Sequence, residues 1–110
     1  MTPDEVLTSL AATIRARREA SAGQSYTRSL LDGGPRRCAK KLGEEAVELV
    51  IAAAGEDNDA VRAEAADVLY HLLVLLESRG VPLAEVTAEL AKRTGVSGHD
   101  EKARRGMAGG

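Results

Sequence analysis

Apolar residues near the N-terminus recur every three or four positions, which is the period of an amphipathic helix. The first helix is predicted to run from Thr2 to about Arg18, with an apolar face made of Val6, Leu7, Leu10 and Ile14. Pro3 suits the first turn of a helix, and Glu5 can complete a capping box with Thr2. The N-terminal segment is therefore predicted to pack one face of a helix onto the rest of the chain.

Four further helices are predicted, and glycine and proline mark their boundaries. A short helix capped by Ser25 spans 25–31, and longer helices span 35–54, 59–79 and 82–93. No long segment alternates with the period of a strand. The predicted fold class is therefore all-α, a helical bundle of four main helices plus the short one. The whole chain is expected to form a single domain with a polar tail over about 96–110.

Two long central helices carry the apolar stripes from which the core is predicted. The stripe on the helix over 35–54 consists of Cys38, Leu42, Ala46, Leu49, Val50 and Ala53. The stripe on the helix over 59–79 consists of Val61, Ala65, Val68, Leu69, Leu72, Leu75 and Leu76. Tyr70, Leu73 and Val74 lie outside this second stripe, so one chain alone is expected to leave apolar surface exposed. A homodimer with twofold symmetry is therefore predicted to complete the bundle.

Carboxylates border the apolar stripes of both central helices. Glu44, Glu45 and Glu48 share one sector of the first of these helices, and Glu64 and Asp67 are one turn apart on the second. A short turn favours antiparallel packing, which brings both groups to one seam. Half-buried clustered carboxylates take up protons or bind a cation, and an all-oxygen set favours Mg²⁺ or Mn²⁺. The alternative interpretation is a solvated acidic face.

Four basic residues precede these carboxylates on the same helix: Arg36, Arg37, Lys40 and Lys41. They lie in the first turns, where the helix dipole disfavours positive charge. Free backbone amides and cations together suit a phosphate, which would lie beside a metal bound by the carboxylates. The alternative is a basic helix end with modest salt bridges. In the tail, Lys102 and Arg104 either fold over the phosphates or act as solubilising charges.

Three other residues with reactive side chains have simpler interpretations. His71 is predicted to be a hydrogen-bonding residue at the edge of the core, and His99 a surface residue. Cys38 lies on an apolar stripe and is predicted to belong to the core. The glycines before Pro35 are not followed by the Lys and Ser or Thr of a P-loop, so that mode of phosphate binding is not supported.

Composition excludes several classes of protein. The chain of 110 residues has one cysteine, which excludes an intrachain disulfide and a metal site built from cysteines. Its 15 basic and 17 acidic residues nearly balance, so no overall charge favours nucleic acid or a membrane. With two tyrosines and neither Trp nor Phe, a stacking platform for single-stranded nucleic acid is not expected. No apolar run has the length of a membrane span, so a cytoplasmic protein is expected.

Several blocks of the chain resemble one known family in their order. Gly43-Glu44-Glu45-Ala46-Val47-Glu48, followed after 15 residues by Glu64-Ala65-Ala66-Asp67, resembles the EExxE…ExxD signature of the all-α NTP pyrophosphatases, the MazG-like superfamily. Further blocks resemble the phosphoribosyl-ATP pyrophosphohydrolases within it: Ser25-Tyr26-Thr27, Ala39-Lys40-Lys41-Leu42, Val68-Leu69-Tyr70-His71, Ser97-Gly98 and Glu101-Lys102-Ala103. The resemblance covers about residues 24–105.

This resemblance implies a Mg²⁺-dependent enzyme of the second step of histidine biosynthesis. Such an enzyme hydrolyses phosphoribosyl-ATP, a small-molecule substrate, to phosphoribosyl-AMP and pyrophosphate. The resemblance also implies a homodimer whose sites draw on both chains.

Combined with the residue pattern, the resemblance assigns a role to each candidate residue. The metal ligands would be Glu45, Glu48, Glu64 and Asp67. Glu44 would orient the attacking water or bind a further ion. The phosphates would be bound by Arg37, Lys40, Lys41 and Lys102. Two alternatives stay open, a house-cleaning pyrophosphatase acting on dCTP, dUTP or damaged nucleotides, and a non-catalytic helical module that binds metal or a protein.

Overall fold

The computed structural model describes residues 1–19 and 25–95, and every regular element in these ranges is helical. The elements are α1 (Pro3–Ala16), which ends in a 3₁₀ turn (Arg17–Glu19), α2 (Tyr26–Asp32), α3 (Gly34–Gly55), α4 (Asn58–Ser78) and α5 (Leu83–Thr94). The predicted all-α class is confirmed, and the predicted helices correspond one to one with those observed. The tail from residue 96 lies outside the described residues.

Side-chain caps fix where three of the helices begin. The Thr2 hydroxyl accepts a hydrogen bond from the Glu5 amide at 3.1 Å, as the sequence predicts for the start of α1. Ser25 caps α2 in the same way. At the start of α4 the Asp57 carboxylate accepts from the Ala60 amide at 2.9 Å. Each cap satisfies a backbone donor that has no partner inside the helix.

Helices α3 and α4 form an antiparallel hairpin, the most extensive helix pair of the molecule. The turn between them contains only Glu56 and Asp57, so α4 must run back along α3. This direction places the beginning of α3 beside the end of α4 and the middle of α3 beside the first turns of α4.

The core lies at the end of the hairpin where α3 begins and α4 ends. It consists of five buried side chains from four helices: Ile14, Leu30, Cys38, Leu73 and Val74. Cys38 is buried, as predicted, and its thiol donates to the Leu30 carbonyl oxygen at 3.3 Å. Helices α1 and α2 both pack against α4 here, so the hairpin is covered mainly at this end.

The predicted core face of α4 is only partly correct, since two of its residues pack against the core but the most deeply buried residues lie outside it. Leu73 and Val74, which lie outside the predicted stripe, are buried, whereas Leu69 from the stripe is 44% exposed. The rest of that stripe is only half-buried. On α3, Val50 of the predicted stripe is 67% exposed, and Ala52 is buried instead. Because α4 is apolar around much of its circumference, its periodicity could not show which side α1 and α2 cover.

Helix α5 extends from this core with little burial of its own. Leu83 packs partly against the core, but α5 has no buried residue, and Leu90 is exposed. Among residues 1–19 and 25–95, no helix combines the length and the apolar character that crossing a membrane requires.

Candidate metal and phosphate site

Three carboxylates meet at the seam between α3 and α4. Glu45 and Glu48, one turn apart on α3, and Glu64 on α4 each offer one oxygen, and these three oxygens all lie within 4.8 Å of one another. Glu64 is in the second turn of α4, which the antiparallel direction places beside the middle of α3. The sequence predicted this convergence correctly for these three residues; that they bind a metal stays a prediction.

The electrostatics of this carboxylate cluster is unfavourable without a cation. Oxygen Oε2 of Glu64 is buried and has no hydrogen-bond partner among the described residues. Burial raises the pKa of Glu64, and the neighbouring carboxylates, Glu48 first and then Asp67 and Glu45, raise it further. Since no basic side chain forms an ion pair with these glutamates in the described part of the chain, the cluster can either take up a proton or hold a cation.

Asp67 lies beside the cluster rather than within it. It is exposed, one turn after Glu64 on α4, and close enough for its charge to raise the pKa of Glu64. Its oxygens do not join the group formed by the three glutamates. An aspartate is one methylene shorter than a glutamate and reaches less far across a helix seam. The structure therefore places Asp67 next to the other candidate ligands without bringing its oxygens among theirs.

Glu44 is paired with a lysine instead of the other carboxylates. Nζ of Lys41 lies 3.2 Å from Oε2 of Glu44 in an i,i+3 ion pair. The hydrogen bond and then the charge of Glu44 raise the pKa of Lys41, and Tyr26 and Glu45 add smaller effects in the same direction. Lys41 is thus held as a cation between the carboxylate cluster and the start of α2.

Arg37 and Lys40 lie on the first turns of α3 with exposed side chains. The stem of Arg37 lies over Gly33, where any Cβ would clash with it. These two residues and Lys41 form a basic end of α3 that leads to the carboxylates, in the order that the sequence predicts. Lys102 and Arg104, the predicted tail contacts, lie outside the described residues, as does His99.

His71 is buried, two turns after Glu64 on α4, in agreement with a core-edge position. The sequence predicts a hydrogen-bonding histidine here, but its Nδ1 atom has no hydrogen-bond partner among residues 1–19 and 25–95. Tyr26 and Tyr70 both pack against its ring. This aromatic group was not predicted from the sequence. The adjacent Tyr70 and His71, which follow the carboxylates on α4, are the signal that indicates it.

The fold and the cluster together define a class: an all-helical protein in which carboxylates of an antiparallel hairpin form a candidate cation site beside a basic helix end. A family model described as phosphoribosyl-ATP pyrophosphohydrolase matches residues 7–94 of the chain.

Relatives match nearly the whole chain. It is 59% identical over 106 residues to the phosphoribosyl-ATP pyrophosphatase of Azorhizobium caulinodans, covering 96% of this chain and 97% of the relative. It is 56% identical over 101 residues to the phosphoribosyl-ATP pyrophosphatase of Cereibacter sphaeroides, covering 92% and 98%. The chain therefore belongs to the phosphoribosyl-ATP pyrophosphohydrolase family, and it is an enzyme of the hydrolase class.

Proposed function

We propose that this protein hydrolyses phosphoribosyl-ATP between its α- and β-phosphates, with Mg²⁺ as cofactor and Mn²⁺ as its substitute. Water contributes its oxygen to one phosphorus as the anhydride bond breaks, and the products are phosphoribosyl-AMP and pyrophosphate. The observation that carries the proposal is the convergence of Glu45, Glu48 and Glu64, in a chain that matches relatives bearing that enzyme name over nearly their whole length.

The donor set of the cluster fits Mg²⁺. The three glutamate oxygens all lie within 4.8 Å of one another, a separation short enough for one small divalent cation to contact them. Mg²⁺ is usually bound by a few carboxylates together with substrate phosphates, which suits an open seam. Oε2 of Glu64, which has no hydrogen-bond partner in the part of the chain that the structure describes, is the kind of atom that a cation would satisfy. Asp67, beside the cluster, is proposed as a fourth ligand.

When bound, Mg²⁺ would neutralise charge on the phosphates and polarise their oxygens. The residues of the chain supply the rest of the chemistry. Lys41, Lys40 and Arg37 bind the triphosphate and stabilise the charge that develops on the departing pyrophosphate. Glu44, at the edge of the cluster and hydrogen-bonded to Lys41, orients the attacking water. Lys102 is proposed to add a contact from the tail.

We also propose that the protein is a homodimer. Val50 and Leu69 belong to the apolar stripes of α3 and α4, yet both are exposed in the single chain. Val47 and Ile51 add exposed apolar surface on α3. A second copy that packs against the hairpin would bury this surface through a self-complementary contact.

The test measures pyrophosphate release from phosphoribosyl-ATP, dCTP, dUTP and ATP, each with Mg²⁺, with Mn²⁺ and with EDTA. We expect metal-dependent release with a clear preference for phosphoribosyl-ATP. Turnover of dCTP or dUTP without turnover of phosphoribosyl-ATP would establish a house-cleaning pyrophosphatase instead. Absence of pyrophosphate release from every one of these substrates would favour a non-catalytic module.

The variant Glu48→Gln ties the activity to the cluster. We expect it to lower turnover by about 100-fold or more, because a ligand is lost. Glu85→Gln, an exposed glutamate on α5, is the matched control and should retain activity. Growth without histidine of a strain that lacks this step, restored by the wild-type chain and not by Glu48→Gln, would place the enzyme in histidine biosynthesis.

A further inference from the structure

The two tyrosines of the protein lie against the same buried histidine. The ring centroids of Tyr26 and His71 are 6.2 Å apart, and those of Tyr70 and His71 are 5.0 Å apart, both in edge-to-face geometry. The whole chain contains no Phe or Trp. All the large aromatic rings are therefore concentrated at one place, where the start of α2 meets α4.

The two tyrosines differ in exposure. Tyr70 is half-buried, and its hydroxyl is hydrogen-bonded to Thr27. Tyr26 is 54% exposed, although the residues on either side of it, Ser25 and Thr27, are both buried. Its backbone is fixed by the cap of α2, and its ring contacts His71. Tyr26 thus presents an aromatic surface to solvent from a constrained position.

This aromatic surface adjoins the candidate phosphate site. Tyr26 is close enough to Lys41 to raise the pKa of its ammonium group, and Lys41 forms an ion pair with Glu44. His71 follows Glu64 by seven residues, which places both on one side of α4, about 10 Å apart along the axis. In a nucleotide a ribose separates the base from the phosphates, so a base site is expected beside a phosphate site and displaced from it.

We propose that the ring of Tyr26 is the platform on which the purine base of the substrate stacks, with His71 as a positioning residue that contacts the ring from the protein interior. The inference rests on the proposed function, since it names how the same substrate is held at its base. Stacking on an aromatic face tolerates any base, so Tyr26 contributes affinity for a nucleotide over a bare polyphosphate rather than recognition of adenine.

Steady-state kinetics with two ligands tests this role. Removing the ring in Tyr26→Ala should raise KM for phosphoribosyl-ATP about tenfold with a much smaller change in kcat. The inhibition constant of Mg²⁺–tripolyphosphate, which has no base, should be the same for Tyr26→Ala and the wild type. Tyr26→Trp, which restores a flat aromatic face, should recover the affinity. Leu90→Ala, an exposed apolar residue on α5, is the control.

Either of two kinetic results would overturn the proposal. An unchanged KM in Tyr26→Ala means that the ring does not contact substrate. An equal loss of affinity for phosphoribosyl-ATP and for tripolyphosphate in Tyr26→Ala means that Tyr26 supports the phosphate site or the fold instead. Failure of the proposed function is distinct, because then the wild-type protein itself releases no pyrophosphate from phosphoribosyl-ATP.

Fluorescence supplies a readout that does not depend on turnover. Because the chain has no tryptophan, Tyr26→Trp places a single tryptophan, which can be excited separately from tyrosine, at the proposed platform. Leu90→Trp places one far from it in sequence. In stopped flow, phosphoribosyl-ATP with Mg²⁺ should change the emission of the first variant and leave the second unchanged. The same change with tripolyphosphate, or no change with phosphoribosyl-ATP, contradicts stacking.

Discussion

Glu64 is the residue whose surroundings conflict most with its charge. It is half-buried between two helices, and one of its oxygens has no hydrogen-bond partner among the described residues. Three neighbouring carboxylates raise its pKa further. A site that binds a cation is expected to contain such a conflict, because the charges that attract the ion repel one another in its absence. The stability of the protein should therefore depend on pH and on divalent metal through this one residue.

Without metal, Glu64→Gln should be more stable than the wild type at pH 7.5, and the difference should vanish near pH 4. The pKa of Glu64 is raised in the folded state. Below the ordinary pKa of a glutamate, Glu64 is protonated in both the folded and the unfolded protein, so its charge costs no stability. As the pH rises through the raised pKa, Glu64 ionises in the folded protein and destabilises it. Urea unfolding with EDTA at both pH values measures this.

Adding Mg²⁺ at pH 7.5 extends the same experiment. It should stabilise the wild type and not Glu64→Gln, since ligand binding to the folded state adds to stability. Glu85→Gln, an exposed glutamate, should respond to Mg²⁺ like the wild type. Equal stabilisation of Glu64→Gln by Mg²⁺ would exclude Glu64 as a ligand.

Lys41→Ala should raise KM for phosphoribosyl-ATP about tenfold or more, because a charge-assisted contact to phosphate is lost. Lys92→Ala is a matched control, since Lys92 forms an i,i+3 ion pair with Glu89 at 3.3 Å, comparable to the 3.2 Å pair of Lys41 and Glu44. Both variants lose a surface pair, so their stabilities should change similarly. Equal KM values in the two variants would remove the proposed phosphate contact.

At the scale of elements, the short turn between α3 and α4 determines the site. It contains two residues, and Asp57 caps α4 immediately after it. Because this turn fixes how the helices are aligned, it also fixes which carboxylates of α3 lie opposite Glu64. Asp57, nearly ten residues after Glu48 in sequence, thus contributes to the geometry of the carboxylate cluster.

Asp57→Ala should lower Tm by about 4–8 °C, since loss of a cap typically costs about 1 kcal/mol in a domain of this size. Thermal unfolding followed by circular dichroism measures the change. Asp57→Asn should retain most of the stability, because its side chain also caps well. Asp59→Ala, which removes a highly exposed ion pair with Arg62, should cost less. A Tm of Asp57→Ala equal to that of the wild type would contradict a stabilising role for the cap.

Helix positions and the carboxylate convergence could be predicted from the sequence because local signals determine them. Thr2 and Ser25 show the caps directly, and the spacing of Glu45, Glu48 and Glu64 follows from two helices and a short turn. The buried face of α4 could not be predicted, because Leu69 and Leu73 are equally apolar and only the packing of α1 and α2 distinguishes them. The contact of Tyr26 with His71 joins residues far apart in the chain, so no local pattern shows it.

For the whole molecule, the uneven cover of the hairpin is the dominant feature. Helices α1 and α2 bury one end and one side, and Val50 and Leu69 remain exposed elsewhere on it. Exposed apolar surface of this kind favours association. The error in the predicted core and the proposed dimer thus have one cause. Apolar positions with the spacing of a core that residues 1–19 and 25–95 leave uncovered are available to a second chain.

A negative charge placed at an exposed position of either apolar stripe should separate the dimer. Val50→Asp and Leu69→Asp are each expected to give the mass of a single chain at micromolar concentration, where the wild type has twice that mass, because a buried unpaired carboxylate opposes association. Val6→Asp, at an exposed apolar position on α1, should keep the wild-type mass. Sedimentation measures all three, and a wild-type mass of one chain would exclude the dimer.

Cys38 gives the molecule a built-in reporter of its own opening. It is the single thiol of the chain, it is 1% exposed, and it lies where four helices meet. An alkylating reagent can reach its sulfur only when these helices come apart. The labelling rate under native conditions therefore reports how often the core opens, without any introduced probe. Any ligand that binds the folded protein with a closed core will slow the alkylation of Cys38, because it lowers the fraction of molecules in which the core is open.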